Sequence, residues 1–168
     1  MIDTNVDRLG LLARLVMTLA LLLFVAGVAW HGITLETPQR IWIDLIERPN
    51  GPMSFRFILQ PLMAAIAAAL DGRSDARRSR SPYFLTVLRN REERIGRLRE
   101  GLNATARIIL LGIVMDVIYQ LIELKTFYPV EALIIAIVLA FVPYVVLRGI
   151  AARIARRWWY RNAAVREN

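Results

Sequence analysis

The chain has 168 residues, 57% of them hydrophobic, yet carries 22 basic and 14 acidic side chains, for a net charge of +8 and a mean hydropathy of +0.44. An apolar share above the ~45–50% of ordinary soluble domains, held together with so many charges, requires long apolar blocks separated by charged ones. The absence of cysteine excludes disulfides, thiolate metal sites and cysteine nucleophiles, and the single histidine, His31, excludes a multi-histidine metal site within one chain.

The first apolar block, residues 15–33, is interrupted only by Thr18, Gly27, His31 and Gly32. A run of about twenty apolar residues crosses a ~30 Å hydrocarbon core. A cleaved signal peptide is the competing reading. The block is longer than the usual ~7–15-residue apolar region, and Ala29-Trp30-His31 is a poor small-residue cleavage site, so an uncleaved span is predicted. His31, beside Trp30 at the end of the block, reads as an interfacial residue. Thr37-Pro38 then resembles an N-cap and first helical position, with Ile41, Trp42 and Leu45 following on one face. Either a short interfacial helix or a solvated loop fits there.

Residues 52–70 form the second predicted span and the least apolar, because Arg56, Gln60 and Pro61 fall in its first half. Its length is about 28 Å at 1.5 Å per residue, enough to cross if Arg56 snorkels toward the headgroups. The alanine-rich stretch 64–69 permits close helix approach; a re-entrant half-helix is the alternative. Asp71-Gly72 is predicted to end the span. Asp71, Asp75 and Arg77 follow as capping or mutually pairing groups, with too few ligands for a metal site.

The segment 71–103 is strongly basic. Ser81-Pro82 marks a helix start, after which Phe84, Val87, Leu88, Ile95 and Leu98 recur at helical spacing opposite arginines and glutamates. This pattern predicts a basic amphipathic helix at the membrane surface. The third span is predicted over 104–124 and the fourth over 130–147. Pro129 suits the first helical position, Glu131 lies in the favourable first turn, and Pro143 predicts a kink. The tail, 148–168, carries six arginines around Trp158, Trp159 and Tyr160 and extends the last helix.

Four spans put the N-terminus, the central basic segment and the tail on one side, with almost all the arginines. Such asymmetry places both termini in the cytoplasm. Arg77, Arg78, Arg80, Arg89, Arg156 and Arg157 are then the expected contacts to anionic lipid headgroups. The positive charge is thereby accounted for without nucleic acid.

Asp116 lies about 12 Å of helix rise from either end of its span, near the midplane, where a charge is costly. With Thr105, Gly112, Gln120 and Glu123 it forms one helical stripe. The stripe is either a proton, ion or substrate path or a packing device. Arg56 is expected to pair with Glu123 and Gln60 to reach Asp116, since lipid satisfies neither. No phosphate-binding loop, zinc-helix, serine-elbow or dinucleotide-binding motif is present, and no cofactor is implied.

The runs Phe55-Arg56-Phe57-Ile58-Leu59-Gln60-Pro61, Asp71-Gly72, Asp75-Ala76-Arg77 and Ser81-Pro82-Tyr83-Phe84 resemble those of uncharacterised small inner-membrane proteins of proteobacteria. The resemblance covers about thirty residues and implies a bacterial inner membrane, without an activity. The expectation is therefore an all-α polytopic membrane protein. Its single membrane domain, 1–168, has four transmembrane helices and a basic cytoplasmic amphipathic helix. It would act as a non-enzymatic scaffold or accessory subunit, associating with itself or a larger membrane complex. A small oligomeric transporter or channel using the Asp116 stripe is the alternative.

Overall fold

In the computed structural model, which describes residues 3–32, 39, 42–43 and 54–166, the chain is built from α-helices, with no strand among those residues. The first helix, α1 (Asp3–His31), is rich in leucine, alanine and valine after its polar first turns. Gly32 stops it in the left-handed region at φ +67°, and its N–H donates to the Val28 carbonyl at 2.9 Å, a glycine cap. Most of α1 projects Leu15, Leu21, Leu22, Phe24 and Val25 outward; only its Ala13, Val16 and Gly27 edge is buried. The interfacial helix expected after Thr37-Pro38 lies outside the described residues.

The second helix, α2 (Arg56–Arg77), continues past Asp71-Gly72 rather than ending there. Gly72 has a different task from termination. A Cβ on it would stand 2.7 Å from the Arg148 carbonyl oxygen and 2.8 Å from the Ala151 methyl. The glycine therefore lets two helix backbones touch. Arg56, Gln60, Ala64, Ala68, Gly72 and Ala76 are all buried, one every fourth residue. This is a small-residue seam with polar ends, the surface by which helices associate closely.

The basic segment departs from the single amphipathic helix expected. A short helix, α3 (Tyr83–Arg89), ends at Asn90, whose side chain accepts from the backbone N–H groups of Glu92 at 3.2 Å and Glu93 at 3.4 Å. That N-cap starts a new helix, α4 (Arg91–Tyr119), with Glu92 and Glu93 favourably in its first turn. The second half of the basic segment is thus the leading end of the third apolar helix. α4 runs through Gly101, whose missing Cβ makes room for the Tyr83 hydroxyl. Phe84, Leu88 and Ile95 remain exposed, whereas Val87 packs against the core and Leu98 is half-buried, so the apolar stripe read in the sequence is split between the bundle and the outside.

From Gln120 to Leu124, α4 widens into a π-helical turn, and Lys125, in the left-handed region at φ 54°, ends it. The last helix, α5 (Pro129–Arg166), starts at the expected proline and runs unbroken through Pro143 for 38 residues, basic tail included. Ala132, Ala136, Ala140, Tyr144, Arg148 and Ala152 are buried along it, again every fourth residue. α5 packs most extensively on α2 and next on α4.

Among the described residues, three helical segments are long and apolar enough to cross a membrane: Gly10–His31, Arg91–Leu124 and Pro129–Trp159. α2, with its polar seam ends, is not among them.

Candidate functional site: two ionic layers

Two clusters of buried charge tie α2 to its neighbours. In the first, Arg56 of α2 pairs with Asp116 of α4; the two are 2% and 0% exposed. The Gln120 amide nitrogen donates to the Asp116 carboxylate at 2.7 Å. The same Gln120 holds the chain entering α5, accepting from the Tyr128 N–H at 2.6 Å and donating to its carbonyl at 3.4 Å. The Arg56 guanidinium also lies 5.1 Å from the Phe57 ring and 5.5 Å from the Tyr119 ring, aromatic faces that help replace its water.

This arrangement differs from the sequence reading in three respects. Arg56 takes Asp116, whereas Glu123 is turned outward and exposed. The π turn is the reason: an extra residue per turn breaks the phase of the stripe after Gln120. Gln60 reaches the Ile108 carbonyl at 3.5 Å, filling the space that Gly112 leaves by lacking a Cβ, and does not touch Asp116. Finally, Asp116 lies level with the first turn of α5, at one end of the helix pack, instead of halfway along it.

The second cluster escaped the sequence reading. Asp75 of α2 accepts from Arg148 of α5 through both oxygens, at 2.7 and 3.0 Å, and from Arg97 of α4 at 3.2 Å. Glu100 bridges Arg80 at 3.1 Å, Arg97 at 3.3 Å and Arg148 at 3.1 Å. Arg148 also donates to the Tyr144 hydroxyl at 2.7 Å, which in turn donates to Asp71 at 2.6 Å. The guanidinium sits 4.4 Å from the Tyr83 ring, and the Tyr83 hydroxyl donates to the Arg97 carbonyl at 2.7 Å. Three arginines meet three carboxylates, so the cluster is neutral although Asp75, Arg97 and Arg148 are buried.

Burial alone would push the Asp75 carboxyl up. The Arg148 hydrogen bonds and charge, with Arg97 behind them, outweigh it and hold the group below the ordinary aspartate range. Burial pushes the Tyr83 phenol up to about 12, so it is a hydrogen-bond donor throughout the physiological range.

The spacing of the two clusters is set by the helices. Arg56 and Asp75 are nineteen positions apart on α2, and Asp116 and Arg97 nineteen apart on antiparallel α4. At 1.5 Å per residue both separations are about 28 Å. Between them lie the alanine seams and the Ile108, Ile109 and Ile113 core.

Of the arginines expected at lipid headgroups, Arg77, Arg78, Arg89 and Arg157 are exposed. Arg80 and Arg156 are partly withdrawn: Arg80 pairs with Glu100, and Arg156 donates to the Arg80 carbonyl at 2.6 Å. The His31 Nε2–H donates to the Phe127 carbonyl, 2.8 Å away, and the ring lies 4.7 Å from the Tyr128 ring, joining the end of α1 to the turn before α5. Among the described residues no group of three or more His, Asp or Glu side chains could hold a metal ion. The chemistry both clusters perform is mutual neutralisation across helices. Glu100 and Arg148 carried one weak signal in the sequence, a counter-ion or aromatic three or four residues away: Arg97 with Glu100, and Tyr144 with Arg148.

The chain defines an all-helical protein with apolar membrane-length helices. Compared with protein-family models, with curated proteins and with solved structures, it has no match.

Proposed function

We propose that the chain is a four-span protein of a bacterial inner membrane, with both termini in the cytoplasm, acting as a non-enzymatic scaffold or accessory subunit. The observation that carries the reading is the pair of ionic layers about 28 Å apart, close to the ~30 Å thickness of a hydrocarbon core. α2 is too polar to cross alone, but its two buried charges, Arg56 and Asp75, have counter-ions on other helices, and its seam is small enough for close packing. It is a span supported by its neighbours. The Asp75 layer lies beside the basic segment and tail, and the arginine bias assigns it to the cytoplasmic face.

The resemblance of the 55–84 region to small proteobacterial proteins supports the inner membrane. Exposed Phe84, Leu88 and Ile95 on the basic stretch suit contact with that bilayer's surface, and exposed Arg77, Arg78, Arg89 and Arg157 suit its anionic headgroups. Thr105, Asp116 and Gln120 of the stripe are engaged within the chain, which favours packing over conduction. The outward apolar face of α1 is available to a second copy or a complex partner.

Reconstitution into liposomes tests this. The expected result is no proton or ion flux above protein-free vesicles, together with a defined homo-oligomer or a stoichiometric complex after purification in mild detergent. Flux that vanishes in Asp116→Asn would overturn the scaffold in favour of transport.

A further inference from the structure

Residues of α2 and α5 line a groove of about 560 Å³. Its walls are unlike in kind. Arg73 and Arg77, one turn apart on α2, present two guanidinium groups, and Trp158 and Trp159 of α5 stand opposite. Ala69 and Ile154 extend the lining as apolar wall. Arg77 lies 5.4 Å from the Trp159 ring, which fixes its side chain across the groove.

Charge sets these two arginines apart. Arg80, Arg97 and Arg148 all have carboxylates, whereas among the described residues no acidic group pairs with Arg73 or Arg77. They are exposed, adjacent and uncompensated, in a recess that also carries an indole pair. The groove also has a direction. Ala69 is the end nearer the alanine seam, and the arginines and tryptophans are the end nearer the basic tail. Arg73 is within one turn of Asp75, so its charged end lies at the level of the Asp75 layer.

We propose that this groove is a binding site for one acidic glycerophospholipid. The phosphate sits between the Arg73 and Arg77 guanidinium groups, which present paired donors of the geometry phosphate accepts. The headgroup lies against Trp159, and the first acyl carbons run past Ala69. The site deepens the membrane reading above and rests on it. Exposed basic residues elsewhere attract anionic lipid diffusely; this recess adds shape and an acyl path to charge.

Tryptophan quenching by brominated lipid reads the site directly. With Trp30→Phe and Trp42→Phe, emission comes from Trp158 and Trp159 alone. The protein is placed in phosphatidylcholine vesicles holding a small fraction of brominated phosphatidylglycerol or brominated phosphatidylcholine. The glycerol lipid is expected to quench at about 10- to 30-fold lower mole fraction, as two local charges provide. Arg73→Gln with Arg77→Gln should abolish that preference, and Arg91→Gln with Arg94→Gln, the same charge loss elsewhere, should keep it. Equal quenching by both lipids, or equal loss in both double variants, would overturn the proposal. Relief of quenching by millimolar inorganic phosphate would also overturn it, showing a site for the free ion. If the Arg73/Arg77 variant unfolds at lower temperature, Ala69→Phe, which blocks the apolar end and spares both arginines, is read instead. It should lower the preference, and an unchanged preference there overturns the site. Recovery of the protein apart from the vesicles would sink the membrane reading itself; equal quenching in vesicle-bound protein sinks only the groove.

Discussion

Replacing Asp75 by asparagine keeps the side chain's shape and removes the charge on which Arg148 and Arg97 converge. Arg148 loses its two-oxygen partner at 2.7 and 3.0 Å, and Arg97 its bond at 3.2 Å. Removing one member of a buried ion pair costs about 3–5 kcal/mol, because the remaining charge stays out of water. Both arginines retain Glu100, which is 41% exposed and so a screened, weaker partner. The expected cost is therefore at the lower end, about 3 kcal/mol, a fall of about 6–12 °C in unfolding temperature for a chain this size. Arg148→Met alone should cost about as much, since Asp75 keeps Arg97. The two changes together should cost much less than their sum, with a coupling of about 2–3 kcal/mol. Thermal or denaturant unfolding of the purified protein in maltoside micelles measures all four corners of the cycle. Single costs below about 1 kcal/mol that simply add would refute the argument, placing the cluster among surface ion pairs of little worth.

Other expectations follow from the same geometry. Because Asp75 is held below the ordinary aspartate range when folded, the folded protein binds fewer protons than the unfolded chain at acid pH. Its contribution is complete above the unfolded value of about 3.9 and is lost as pH falls through the lower folded value, so unfolding temperature should drop on that acid limb. Asp75→Asn should flatten the limb in a pH series of melting curves. Asp116→Asn should destabilise by about 3 kcal/mol by leaving the Arg56 charge buried, whereas Glu123→Gln should stay within about 0.5 kcal/mol; a reversed order in micelle unfolding would contradict the Arg56–Asp116 assignment. Gly72→Val should force α2 from α5 and cost about 1–3 kcal/mol or more, since backbone and not a movable side chain blocks the new atoms. Gly96→Ala, with nothing within 4 Å of the new methyl, should be neutral or stabilising by up to about 1 kcal/mol.

Apolar block length made α1, α4 and α5 legible in the sequence, because a run of leucine, isoleucine and valine is a local property. Pro129 at a helix start and Ser81-Pro82 before another were legible for the same reason. What stayed hidden was relational. Asp71-Gly72 looks like a helix end until Arg148 and Ala151 are seen pressed against Gly72. Asn90 interrupts a convincing amphipathic periodicity with one side chain that caps two backbone N–H groups. The stripe through Asp116 was correct as far as Gln120 and then failed, because a π turn changes the residues per turn and no composition rule announces it. Helical spacing alone could place Asp116 within its own span but not against the start of α5. The two partners of Asp75, Arg97 and Arg148, lie 22 and 73 positions away, and Tyr144 one turn before Arg148 is the one local feature beside it.

In the proposed topology α2 crosses the bilayer between the two ionic layers. With no native cysteine, single substitutions at Ser54 and Ser79, which flank α2, can be probed with a membrane-impermeant thiol reagent. Ser54→Cys should label in intact cells and Ser79→Cys only after the membrane is opened. Labelling of both from the same side would contradict the account.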